Sequence, residues 1–232
     1  MGSASSGNRG HAGRPGERGG SGPGGGGATR GVGKGQRDKV IADFHNKWGG
    51  APVEHMILYK DGKVIAESVG NGTNCNLPTK ADEAKDGDLV HNHPNDSPGL
   101  SPEDIFNSAR FNVNSITAVT DDRGSWTVTR PEHGWDLQII SPQVVSKSFR
   151  EILEKERASD ATKADLKKVN ENPNYYDEAT NRLGERVSER TITALGLSLE
   201  KRGSQSGPTH KLAPDTPEQA LEKMLVMTGR GL

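Results

Sequence analysis

Leu89-Val90-His91-Asn92-His93-Pro94-Asn95-Asp96-Ser97-Pro98-Gly99-Leu100-Ser101-Pro102-Glu103-Asp104-Ile105 is the stretch on which the reading of this chain turns. The apolar run ending at His91 reads as a short buried strand, and the interval from Pro94 to Leu100 carries the residues of a turn-rich loop. Ser101-Pro102-Glu103-Asp104 then opens a helix, with Ser at the N-cap, Pro at the first helical position and acidic residues in the first turn. Side chains alternate along a strand, so His91 and His93 point to one side. Asp104 comes back to the same point when the loop folds over. Neutral imidazoles and a carboxylate are ligands that zinc accepts, and three protein ligands with an open fourth position is the count of a catalytic zinc.

Each of these residues also has a plainer reading. Ser101 and Asp104 make an ordinary capping box, which stays true even where they serve a site. Asp96 is either a rival third ligand or a turn residue. The Ser101 hydroxyl stands one helical turn before Asp104, where it can donate to a developing oxyanion. Proton transfer needs a base, and Glu54 and Glu67 are the two carboxylates on a neighbouring hairpin. Glu54 is preferred because it begins a strand after Pro52 and so lies at the end of the sheet.

Working outward, Gln36 to Trp48 places Val40, Ile41, Phe44 and Trp48 at helical spacing, and Gly49-Gly50-Ala51-Pro52 stops that helix. His45 within it reads as a surface or core histidine. Asp61-Gly62 between Glu54–Tyr59 and Val64–Val69 predicts a β-hairpin with a tight turn. Residues 70–86 read as a loop with one helical turn around Thr79 to Lys85. Ser115–Thr120 and Ser125–Thr129 flank a turn at Asp121-Asp122-Arg123-Gly124 and form a second hairpin. Strand, loop, helix and hairpin together predict an α/β fold with a mixed β-sheet and flanking helices. After Pro131 the pattern predicts helices over about 142–158, 161–170 and 175–199, the last with Ala179, Leu183, Val187, Ile192, Leu195 and Leu199 on one face. These either pack on the sheet or form an interaction arm.

The domain plan is therefore a tail over 1–35, a metal-binding domain over 36–135, a helical extension over 136–202, and a linker with a short terminal helix over 203–232. The tail holds 15 of the 30 glycines and no period of any kind, which predicts disorder. It also carries Arg9, Arg14, Arg18, Arg30, Lys34 and Arg37 against Glu17 alone when counted through Arg37, a basic arm able to bind nucleic acid or an acidic surface. Net charge is -1 overall, so the whole chain selects no partner by charge. Apolar residues make up 30 % of the chain and mean hydropathy is -0.77, too polar for one core over the full length. The single cysteine, Cys75, excludes an internal disulfide framework and fits a reducing compartment. It reads as incidental rather than nucleophilic. No run of eighteen apolar residues occurs, so neither a membrane span nor a signal peptide is expected, and the expected location is cytoplasmic.

His91-Asn92-His93-Pro94 with Ser101-Pro102-Glu103-Asp104-Ile105 resembles the motif of the JAMM/MPN metalloprotease superfamily, and is similar to its bacterial RadC-like and phage-encoded branches. The resemblance covers about residues 50–130. It implies a mixed sheet between helices with cytidine-deaminase-like layering, Zn2+ held by His91, His93 and Asp104, Ser101 assisting an oxyanion, and Glu54 as acid and base. The interval from Glu54 to His91 is shorter than in RadC-like or eukaryotic deubiquitinating members, and resembles that of JAMM-like domains on bacteriophage head-morphogenesis proteins. The glycine-rich phrase from His11 to Ser21 resembles linkers of those same proteins. The expectation that follows is a zinc metallopeptidase or isopeptidase acting on a protein or peptide, in the cytoplasm of a bacterial host or associated with a virion. Two rivals stand beside it. One is a phage assembly protein that uses the domain as a binding module toward capsid or portal components. The other is a nucleic-acid-processing enzyme, because His-Asn-His also occurs in HNH nucleases.

Overall fold

A computed structural model describes residues 34–203 apart from 72–74, 78–79, 95–97 and 122–123. The expected tail up to residue 33, the terminal helix from Thr216 and the rival ligand Asp96 lie outside the described residues. The chain forms helix α1 (Lys34–Trp48), strands β1 (His55–Lys60) and β2 (Lys63–Val69), the short helix α2 (Ala81–Ala84), strand β3 (Asp88–Asn92) and helix α3 (Pro102–Arg110). Strands β4 (Ser115–Thr120) and β5 (Gly124–Thr129) follow, then helices α4 (Pro142–Arg157), α5 (Asp160–Glu171) and α6 (Tyr176–Ala194), and strand β6 (Leu199–Arg202).

The result is an α/β fold with a six-stranded mixed sheet in the order β2-β1-β3-β4-β5-β6. The β1–β2 turn puts Asp61 and Gly62 at φ 50° and 82°, the backbone that an Asp-Gly turn adopts most cheaply. Among the described strands only β3 and β4 run parallel, and a parallel pair needs a crossover, which α3 supplies. The strand-to-helix stretch from Leu89 to Ile105 therefore joins the middle of the sheet to its crossover helix.

Alternation along the strands sorts the core into two faces. Leu58, Leu89, Ile116, Ala118, Trp126 and Val128 pack with Ile105 and Ala109 of α3, Val145 of α4 and Ile192 of α6. Ile57, Val90 and Val119 face the other way, against Ile41 and Phe44 of α1. His91 shares the parity of Leu89 and so belongs to the α3 face, whereas Asn92 shares that of Val90.

The final long helix stops earlier than its periodicity predicts. Leu195 caps it, Gly196 takes φ 72°, and Leu199–Arg202 pairs with β5 as a sixth strand. Ile192, Leu195 and Leu199 fit one face of a helix, but Leu195, Leu197 and Leu199 fit a period of two equally well. A glycine in the left-handed region decides between them. Segment 136–202 thus supplies three helices, as expected, and also a sheet edge. Its Ile140, Val145, Ile192, Leu195 and Leu197 lie in the same core cluster as the strands, so the sheet and these helices share one core. Arg186 of α6 further binds Glu156 of α4 and Asp165 of α5, at 3.2 Å each. No helix among the described residues is long and apolar enough to cross a membrane.

One side chain of α6 ties this segment to the loop that precedes α3. The buried Ser188 hydroxyl donates to the Leu100 carbonyl and accepts from the Leu100 N–H, both at 3.0 Å. Gly99 sits beside it at φ 82°, and a Cβ there would fall 2.5 Å from Ser188 Oγ, so only glycine allows the approach. Replacing Ser188 by Ala leaves two buried backbone groups of Leu100 unpaired. The expected loss, read from urea unfolding, is about 1–3 kcal/mol.

Candidate metal centre

The end of β3 and the start of α3 bring three side chains to one point. His91 Nε2 lies 2.9 Å from His93 Nε2 and 3.4 Å from Asp104 Oδ1, and His93 Nε2 lies 3.5 Å from Asp104 Oδ2. One ligand atom from each residue falls within 4.8 Å of the others, close enough to hold a metal ion. Tetrahedral bonds of about 2.05 Å separate neighbouring ligand atoms by about 3.3 Å, which is the scale of this triangle. Fully buried His91 has no hydrogen-bond partner for Nδ1 among the described residues, so its ring meets polar atoms through Nε2 alone. The 2.9 Å contact between the two Nε2 atoms is an N–H···N hydrogen bond when one of them carries a proton, and with both unprotonated it offers two lone pairs that a cation could bridge.

Local sequence explains why the three converge. The His93 N–H donates to the Val119 carbonyl at 2.9 Å, carrying the β3–β4 pairing one residue past the strand and fixing His93 beside His91. Ser101 and Asp104 form a full capping box: Ser101 N–H donates to Asp104 Oδ2 at 2.8 Å, and Asp104 N–H donates to Ser101 Oγ at 3.1 Å. The plain reading of these residues therefore holds, and the cap is also what aims the Asp104 carboxylate at the two imidazoles. Burial pushes the Asp104 carboxyl up, but the adjoining His91 and His93 outweigh it and hold the group well below the ordinary carboxylate range.

Glu54 stands just before β1, its N–H donating to Asn71 O at 2.8 Å and its carbonyl accepting from Gly70 N–H at 2.7 Å. Its side chain is buried, and burial raises the carboxyl above its ordinary range, with His91 pulling it back and Asp104 pushing it further up. The charges that act on it are thus those of His91, Asp104 and His93, with Glu103 beside them. Glu67 is exposed on the edge strand β2, opposite Ile57, and acts on His55 instead. Of the two candidate bases, only Glu54 is coupled to the triad.

Asn92 carries a role that its sequence position alone did not suggest. Fully buried, its Oδ1 accepts from His55 N–H at 2.6 Å, and its Nδ2 donates to the carbonyls of Val53 at 3.1 Å and Ala51 at 3.4 Å. The residue between the two histidines therefore clamps the backbone on both sides of Glu54. Asp88 and His91 are polar members of the same strand, so an asparagine at position 92 gives no local signal of this role. His45 bonds Thr120 O through Nε2 at 2.6 Å, a structural link between α1 and β4. Cys75 is half-buried, 2.9 Å from Ser68 Oγ, and burial raises its thiol, the opposite of an activated nucleophile.

Comparison with family models, with curated proteins and with solved structures returns no match. The geometry of the group and its surroundings is what bears on function.

The buried Glu54 carboxyl has a consequence for stability. A carboxyl whose folded pKa is raised binds protons more tightly in the native state, so stability falls as pH rises from its unfolded value of about 4.3 through the raised folded value. Glu54→Gln removes that cost. In metal-free protein the variant should melt higher than the parent at neutral pH, with the difference vanishing below about pH 4. Thermal melts across that range check the sign.

Proposed function

We propose that this chain is a zinc-dependent peptidase or isopeptidase of the JAMM/MPN kind, hydrolysing an amide bond with water. The observation that carries the reading is the convergence of His91, His93 and Asp104 beside a buried carboxylate whose proton affinity is raised. Two imidazoles and one carboxylate are a donor set that suits zinc, with room for a fourth ligand. Zinc bound there would acidify a water and polarise a carbonyl oxygen.

The chain's own groups supply the rest. Glu54 takes a proton at its carboxylate and returns it to the leaving amine, and a carboxyl raised toward neutrality does both with less bias than an ordinary one. Asn92 holds Glu54 in place through the backbone of Val53 and His55. Ser101 Oγ accepts from Asp104 N–H, which leaves its own O–H to donate to an oxygen that gains charge during the reaction. Burial of His91 and the apolar core behind it keep the donors in one geometry without reorganisation.

The test uses a mixture of synthetic peptides and lysine-branched isopeptides, with zinc measured on the same samples. Glu54→Gln is expected to keep its zinc and lose hydrolysis by about 10²–10⁴-fold. His91→Ala is expected to lose both. Hydrolysis surviving in Glu54→Gln would place the base elsewhere, and a parent protein that takes up no zinc would overturn the reading.

A further inference from the structure

A cleft of about 120 Å³ opens beside the metal-ligating group. His93 and Ser101 form its inner wall, and its outer walls are Phe149 and Leu153 of α4 with Leu183 and Val187 of α6. We infer that this cleft is a specificity pocket for a medium-sized aliphatic side chain, that of leucine, isoleucine or methionine, on the substrate residue adjoining the scissile bond. The inference rests on the proposed amide-hydrolysing role of the group.

Three observations lead to that occupant. The first is continuity, because a metal ligand and the proposed oxyanion donor are themselves part of the wall. A carbonyl held at the group has the Cβ of its own residue about 2.5 Å from the carbonyl carbon, so the side chain is delivered to the cleft mouth. The second is chemistry: among the described residues no Asp, Glu, Lys or Arg lines the cleft, and Phe149, Leu153, Leu183 and Val187 give it an apolar surface, with Thr180, Asn181 and Ser188 of α6 its uncharged polar members. A charged side chain would lose hydration there and meet no carboxylate, ammonium or guanidinium among the described lining residues. The third is size. A dry apolar cavity of about 150 Å³ holds a benzene ring, so a slightly smaller one takes a branched four-carbon chain and rejects an indole. Since α4 and α6 build the outer walls, segment 136–202 sets the preference while β3 and α3 carry the chemistry.

Amino-acid hydroxamates test the pocket without turnover, because the hydroxamate chelates the metal and presents the side chain next to it. Acetyl-leucine hydroxamate titrated calorimetrically into the zinc-loaded protein should bind about 10- to 100-fold more tightly than the acetyl-glycine analogue. Acetyl-tryptophan hydroxamate should show no such gain. Phe149→Ala, which widens the cleft, should lose most of the leucine preference and gain about 10-fold for tryptophan. Thr180→Trp, at a half-buried position of α6 that also lines the cleft, should fill it and abolish the leucine preference while leaving the glycine analogue bound, and serves if the first variant folds poorly. Equal binding of leucine and glycine analogues to the parent would overturn the pocket and leave the metal centre standing. Failure of every hydroxamate to bind would overturn the proposed function, and the pocket with it.

Discussion

The hydrogen bond from Ser101 N–H to Asp104 Oδ2 is the contact on which the rest of this arrangement depends. A helix starting at Pro102 must satisfy the N–H groups of its first turn, and the Ser101–Asp104 pair does so reciprocally. In doing so it fixes the rotamer of a carboxylate whose Oδ1 faces His91 and whose Oδ2, the oxygen the cap itself uses, faces His93. A cap ordinarily stabilises a helix by about 1 kcal/mol and has no further consequence. Here the same bonds set the third corner of a ligand triangle, so the local rule that starts α3 also builds the site.

The triangle needs support from both faces of the sheet. On the α1 face, Asn92 grips the backbone around Glu54; on the other, Ser188 of α6 grips the backbone of Leu100 just before the cap. Each is a buried polar side chain whose hydrogen bonds go to main-chain atoms of a neighbouring segment. Such bonds fix position more than they add net stability, since the unpaired alternative is costly. The parallel β3–β4 pair places this machinery at the carboxyl end of a central strand, where α/β sheets leave room for ligands.

Much of this was legible in the residues. Alternation put His91 and His93 on one side, the Ser-Pro-Glu-Asp phrase marked the start of α3, and Asp61-Gly62 marked the hairpin that carries Glu54. Those features are local, and local sequence states them directly. The sixth strand was not legible, because Leu195, Leu197 and Leu199 satisfy both a helical and an extended period and only the backbone at Gly196 chooses. Asn92 was silent for a different reason: its partners lie some forty positions away in the chain, and nothing in His-Asn-His says which backbone it will meet. The same holds for Ser188 and Leu100, and for the cleft that joins α4 and α6 to the site. The packing of segment 136–202 against the sheet is a long-range property with no short motif.

The central claim is that His91, His93 and Asp104 share one zinc ion. Crystals of the zinc-loaded protein, measured on both sides of the zinc absorption edge, test it most directly. The account predicts one anomalous peak about 2.0–2.2 Å from His91 Nε2, His93 Nε2 and an Asp104 oxygen. A peak bound elsewhere, or no peak at this triangle under saturating zinc, would contradict it.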